Sequence, residues 1–182
     1  MTLEEKRLKC IKEDKMSFQG VSMEEMVALA DLIMDSKTIF VAGWGRAGIT
    51  GKVLSMDLSQ IGIPTYVVSD TAICTPAAKP GDLLVICSHS GTTRSMVVLA
   101  ERAREHGVDI ALVTSDGDSE IAKMAKVKVV IPERSDVEFC DMVAWWSFYH
   151  TDVQVMDFVR AIIMERTGQT VDDISRYHNN LE

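Results

Sequence analysis

The chain has 182 residues, of which 47% are hydrophobic and 25% charged. That is enough apolar material for the core of one α/β domain and too much for a disordered chain. With 19 basic and 27 acidic residues the formal charge is −8. Without any basic cluster, this argues against nucleic acid and against an anionic membrane surface as partners.

Residues 3–16 show a helical pattern (Leu3, Leu8, Ile11, Met16) that ends at Gly20. Ser22 followed by Glu25 reads as a capping box opening a second helix, with Met23, Met26, Val27, Ala30, Ile33 and Met34 as its apolar stripe. Both helices precede any strand, so residues 1–36 form an N-terminal extension. Thr38–Ala42 is the first strand. It runs into Gly43-Trp44-Gly45-Arg46-Ala47-Gly48, after which a helix spans about Ile49–Ile61. Thr65–Val68 is a short second strand closing at Ser69-Asp70, and a loop covers 71–79. Leu83–Cys87, set off by Pro80-Gly81, is a continuous apolar run and reads as a strand buried on both faces. A helix follows to His106, with Gly107 as its stop. Val108–Thr114 is a fourth strand, Ser119–Ala125 a short helix and Val127–Ile131 a fifth strand.

Five strands alternating with helices predict an α/β fold, a three-layer doubly wound sheet of five parallel strands over residues 37–131. Ligands of such sheets sit beyond the carboxyl ends of the strands. From Asp141 to Thr167 the chain reads as one long C-terminal helix, apolar on more than one face. Subunit contact is the expected cover, so a homo-oligomer is predicted. Gly168 stops it, and Thr170 caps a last helix to Tyr177 before the tail His178–Glu182. No linker divides the chain, which reads as a single domain over 1–182.

No run reaches about 18 apolar residues, as a membrane-spanning helix needs. The first 20 residues are charged and carry no apolar signal core, so a cytoplasmic location is expected. Cys10, Cys74, Cys87 and Cys140 are isolated, with no Cys-x-x-Cys pair. They read as reduced thiols, neither a zinc site nor a disulfide framework.

The chemistry concentrates after the third strand. Ser88, Ser90, Thr92, Thr93 and Ser95 crowd around Gly91, directly before a helical pattern. Backbone N–H groups at a helix start attract an anion, and hydroxyls add neutral donors in fixed places. The stretch reads as a phosphate cradle. Ser and Thr are also ordinary N-caps, but five hydroxyls in eight positions exceed what a cap requires. Gly43, Gly45 and Gly48 match G-x-G-x-x-G after a strand, with Asp70 lying 22 residues beyond Gly48. That has the form of a dinucleotide fingerprint. The alternative is a tight turn with close packing, and the second anion loop is one that a dinucleotide does not need. Arg46 can pair with a phosphate or carboxylate, or with a surface acid. His89 lies inside the cradle as an acid/base candidate unless its side chain points away. His106 reads as a helix-end surface residue and His150 as a core or interface histidine. His178, in a polar tail, is placed to reach a site as an acid/base group.

Ser88-His89-Ser90-Gly91-Thr92-Thr93 resembles the S-x-S-G-x-[ST] loop of the SIS (sugar isomerase) domain family, and Gly43–Gly48 resembles that family's first loop. Within the family the chain is similar to the 6-phospho-3-hexuloisomerases. The two N-terminal helices, Pro80–Leu84, Met164-Glu165-Arg166 and the ending Arg176–Glu182 carry this likeness. The resemblance implies interconversion of a 3-hexulose 6-phosphate and fructose 6-phosphate without metal or other cofactor, in a homo-oligomer (tetramer or dimer). It assigns Ser88, Ser90 and Thr93 to the phosphate, with His89, Gly91 and Thr92 completing the loop. Gly45 and Arg46 line the other side, and Asp70 and His178 are the acid/base candidates. Three positions differ from the family pattern. Ala47 stands where a hydroxyl residue is usual, and Asp70 stands where a Glu is expected. The Gly-Thr-x-x-Glu opening of the C-terminal helix is replaced by Trp145–His150, without a glutamate. The alternatives are a sugar-phosphate-binding sensor without turnover and a dinucleotide-dependent enzyme.

Overall fold

The structure, a computed structural model, describes residues 2–68, 75–132 and 146–178. Among these, five strands form one parallel sheet in the order β2-β1-β3-β4-β5, with β1 at Ile39–Gly43, β2 at Thr65–Val68, β3 at Leu83–Cys87, β4 at Asp109–Thr114 and β5 at Val127–Val130. The helices are α1 (Leu3–Gln19), α2 (Met23–Asp35), α3 (Gly45–Gln60), α4 (Arg94–Glu105), α5 (Trp146–Thr167) and α6 (Val171–Tyr177). This is the predicted doubly wound α/β fold with N-terminal helices and a long C-terminal helix. None of its helices is long and apolar enough to cross a membrane, among the described residues.

The period-2 alternation of the strands divides the core into two layers. Ile39, Val41, Leu83, Val85, Ala111 and Val113 face α2, α3 and α5. Phe40, Leu84, Ile86, Ile110 and Leu112 face α4. Every residue of β3 is buried, as its unbroken apolar run predicts. Leu29 and Ile33 of α2 are fully buried, each worth roughly 1.5–3 kcal/mol. Since α3 and α4 cover opposite faces while β1 and β3 are neighbours, the connections leaving these two strands diverge. A crevice opens there, at the topological switch point.

Three details differ from expectation. Helix α3 starts at Gly45, four residues early, because extended Trp44 serves as its N-cap and Gly48 N–H already donates to Trp44 O at 3.2 Å. The supposed first loop is therefore largely the first turn of a helix. Ser119–Ala125 forms turns, not a continuous helix: Lys123 and Ala125 N–H still donate to Ser119 O and Ile121 O, while Ile121 N–H, which a helix start would leave without an internal acceptor, donates outward to Gly91 O at 3.1 Å. Ser22 Oγ does accept from Glu25 N–H, but the reciprocal half of the capping box is not made. Glu25 Oε2 instead accepts from Val130 N–H on the edge strand β5 at 2.8 Å, satisfying a donor that an open sheet edge would leave exposed.

Helices α3 and α5 run parallel, joined in ascending register. Arg46 lies over the Tyr149 ring at 4.3 Å, Thr50 bonds Asp152, Arg160 donates to Asp57 at 2.6 Å and Gln169 donates to Ile61 O at 3.1 Å.

Candidate functional site

The hydroxyl-rich loop leaves β3 at the carboxyl edge of the sheet and enters α4. Gly91 turns it with φ +60. The loop is anchored from the neighbouring strand: Thr114 Oγ1 and Ser115 Oγ both donate to His89 O at 2.9 Å, as does Ser115 N–H. Gly91 N–H closes back on Ser88 O at 3.2 Å. Ser88 Oγ and Thr93 Oγ1 stand 3.5 Å apart. Thr92 Oγ1 donates to Ser90 Oγ at 3.0 Å. The hydroxyls thus converge in one small volume, as a cradle requires. Thr93, the N-cap of α4, makes no capping bond with its side chain, and Trp44 makes none at α3. The N-cap reading of this loop does not account for its hydroxyls. Two helix N-termini with donors left over by their own caps meet the same rim.

A cavity of about 210 Å³ lies against this loop. Ser88, His89, Ser90 and Thr93 form one wall, Trp44 and Ala47 the opposite wall, Cys87 the floor and Tyr149 of α5 a side. The His89 ring meets Phe148 edge-on at 4.8 Å, and Phe148 in turn meets Tyr149 at 5.2 Å, so the imidazole is held at the cavity by aromatic packing. Arg46 approaches from the other side through its stack on Tyr149. A larger and more apolar cavity of about 380 Å³ adjoins it across Trp44, bounded by Gly45, Lys52, Val68, Ser95 and Leu99.

The glycines of the first segment divide by role. A Cβ on Gly48 would lie 2.5 Å from Gly43 O, and one on Gly43 would lie 2.8 Å from Cys87 O, so both are needed for close packing of α3 on β1 and β3. Gly45 alone has φ +56 with open space about it. Packing thus explains two of the three glycines of the dinucleotide-like pattern.

Of the acid/base candidates, Asp70 lies outside the described residues. His178 follows Tyr177, whose ring packs on Gly62 beyond the carboxyl end of α3. The cradle lies at the amino end of that 16-residue helix, roughly 24 Å away at about 1.5 Å per residue. A single chain therefore does not bring His178 to its own cradle. His150 is not a core histidine: its Nδ1 pairs with Asp14 of α1 at 2.9 Å.

Sequence reasoning missed Trp44, Tyr149 and Asp152. Trp44 stands in the glycine-rich first loop, where the glycines and Arg46 draw the reading, and Tyr149 lies in an apolar helix that reads as buried; the parallel packing of α3 and α5 turns Tyr149 to the rim. Asp152 is wholly buried behind the cavity. Burial pushes its carboxyl up to about 7, with the hydrogen bond from Thr50 opposing. Burial, with Asp152 nearby, also pushes the Cys87 thiol well up, which keeps the cavity floor neutral and unreactive.

The profile of the SIS domain matches residues 32–158. A protein of Bacillus subtilis named 3-hexulose-6-phosphate isomerase is 33% identical over 168 residues, 89% of each chain. One of the same name from Mycobacterium gastri is 40% identical over 112 residues, which span 62% of this chain and 55% of that relative. A crystal structure of a hypothetical protein from Methanococcus jannaschii, for which a 3-hexulose-6-phosphate isomerase function was inferred, superposes with a TM-score of 0.84 at 26% identity, over 97% of this chain and 99% of that one. With the hydroxyl loop at the carboxyl end of β3 and the family match covering most of the sheet, the chain belongs to the SIS domain family.

Proposed function

We propose that the protein is a phosphosugar isomerase that interconverts a 3-hexulose 6-phosphate and fructose 6-phosphate. The observation that carries this reading is the convergence of Ser88, Ser90 and Thr93 at the amino end of α4, in a chain whose relatives bear the isomerase name. The phosphate sits in the cradle, where hydroxyls and helix-start N–H groups neutralise it without a cation. Holding the phosphate places the sugar carbons in register along the crevice. The reaction moves a proton between adjacent carbons through an enediol(ate). It needs a base at the C–H and an acid or dipole at the carbonyl oxygen.

Asp70 is the proposed base. It follows β2 by two residues, and β2 pairs with β1 in the sheet. His178 is the proposed acid, entering the cradle of a neighbouring subunit, since its own is out of reach. Gly45 and Arg46 bind the far side of the sugar, and His89, Gly91 and Thr92 complete the phosphate loop. A homo-oligomer, dimer or tetramer, is part of the proposal. Leu3, Leu8 and Ile11 of α1 and Val171 and Tyr177 of α6 are exposed apolar residues that subunit contact would cover.

A second reading is a binding protein without turnover. One observation favours it: among the described residues no carboxylate lines the cradle cavity. The test is turnover of a panel of pentulose and hexulose 6-phosphates by the purified protein, with thermal-shift readings on the same ligands. Turnover of a 3-hexulose phosphate supports the isomerase. Stabilisation without turnover supports the binding protein.

A further inference from the structure

Behind the cradle, Asp152 of α5 has no solvent exposure. Its Oδ2 contacts Thr50 Oγ1, and its Oδ1 has no hydrogen-bond partner. Thr50 Oγ1 also stands 2.9 Å from Ala47 O. A hydroxyl carries one hydrogen. With an ionised Asp152, Thr50 would face two acceptors and could serve only one. With the proton on Asp152 Oδ2, every contact has a hydrogen: the acid donates to Thr50 Oγ1 and Thr50 donates to Ala47 O.

The surroundings agree with a neutral acid. From β3 comes only the Cys87 thiol. From α1 come the acids Glu13 and Asp14, the latter held by His150 of α5 itself. Of the acids of α2, Glu25 accepts from Val130 N–H and Asp31 pairs with Arg166. From α3, Arg46 lies over Tyr149 and Asp57 is paired with Arg160. Burial, with no cation among the described residues acting on the group, favours the protonated carboxyl, and its titration is displaced upward accordingly.

We propose that Asp152 is a positioning residue, held as the neutral acid, which through Thr50 pins the Ala47 carbonyl and so fixes the first turn of α3 against the cradle. That turn carries Gly45 and Arg46, and Ala47 itself lines the cavity. Ionisation of Asp152 removes the hydrogen from one link and lets the turn shift. The effect on the sugar phosphate rests on the function proposed above; the protonation itself does not.

The experiment compares wild type with Asp152→Asn, whose amide donates to Thr50 at every pH, and with Thr50→Val, which cuts the chain. Fructose 6-phosphate affinity is measured by calorimetry across the neutral range. Infrared difference spectra of the free proteins follow the carboxylic C=O band. The phosphate titrates identically in each case, so the ratio of wild-type to Asp152→Asn dissociation constants is read. We expect a ratio near one on the acid side, rising about tenfold on the alkaline side, as a small misplacement at a binding turn allows. Thr50→Val should bind weakly at all pH values. Asp57 adds a carboxylic band of its own on the acid side, so the component that persists above its range and fades near neutrality is read: it should be present in wild type and missing from Asp152→Asn. A flat ratio, or no such band, overturns the proposal. If fructose 6-phosphate does not bind any of the proteins, the proposed function fails, and the band alone then upholds or overturns the neutral Asp152. Wild type supplies that reading even if Asp152→Asn does not fold.

Discussion

A Cβ on Gly91 would fall 2.0 Å from Ser119 Oγ and 2.6 Å from its Cβ. The cradle is thus pressed against the turn that joins β4 to β5, and Ile121 N–H secures the same point by donating to Gly91 O. Gly91→Ala should unsettle the loop through this clash and through its φ of +60, abolishing the thermal shift with fructose 6-phosphate. Ser119→Gly added to it removes the clash but leaves the backbone penalty of about 1–2 kcal/mol. The double variant should recover part of the stability in urea titration. Equal loss in single and double variants would show that the contact does not matter.

Ser90→Ala removes one hydroxyl of the proposed phosphate site at an exposed loop position. A hydrogen bond to a charged group contributes about 1.5–3 kcal/mol. The dissociation constant for fructose 6-phosphate should rise by about tenfold or more, with the unfolding midpoint almost unchanged. An unchanged affinity would remove Ser90 from the site.

His178→Ala should lower turnover more than binding if the imidazole is the proposed acid. Since α6 packs at the far end of α3 from the cradle of its own chain, mixing Ser90→Ala with His178→Ala subunits at low substrate should give more turnover than the average of the two variants alone. A kinetically silent His178→Ala ends its assigned role, and failure to complement ends the cross-subunit placement.

Arg160 Nη1 meets Asp57 Oδ1 at 2.6 Å, with the two side chains 26% and 2% exposed. Burial nevertheless raises the Asp57 carboxyl to about 6, with Arg160 opposing. Removing the cation strands a buried carboxylate, so Arg160→Ala should cost about 3–5 kcal/mol at neutral pH. The loss should shrink in acid, where Asp57 takes up a proton. Urea midpoints on either side of pH 6 check this, and a loss independent of pH would point to packing alone.

The Asp152 carboxyl titrates at about 7 in the fold, against a reference value of 3.8. Between these values the unfolded chain is ionised and the folded chain is not. The folded state then binds the extra proton, so stability falls as pH rises through this window and levels off above it. Asp152→Asn should flatten that part of the profile, raising stability at neutral pH by roughly 2–4 kcal/mol. Chemical denaturation across the acid-to-neutral range measures it. A variant with the wild-type slope would show that other groups set the profile.

The hydroxyl loop and the strands were legible in the sequence because each rests on local pattern. Leu83–Cys87 is short, apolar throughout and set off by Pro80-Gly81, which together mark a strand covered on both faces, and the residues after it announce a helix start. The Ser119–Ala125 segment misled because its helical composition yields only separate turns, tied to the hydroxyl loop by the bond from Ile121 N–H to Gly91 O. The early start of α3 was hidden because glycines read as loop until Gly43 and Gly48 are seen packed together.

The sequence by itself determined the parallel α/β sheet, the hydroxyl-rich loop between β3 and α4 and the two helices ahead of them. Periodicity, capping and hydroxyl density are properties of neighbours along the chain. Only the tertiary structure decided that Tyr149 lines the cradle, that Asp152 is sealed behind it against Thr50, and that His178 lies at the opposite end of α3. These are relations between α5 or α6 and α3, about a hundred residues apart in sequence. They depend on which helix faces pack and in what register, a choice made by the shape of the whole core.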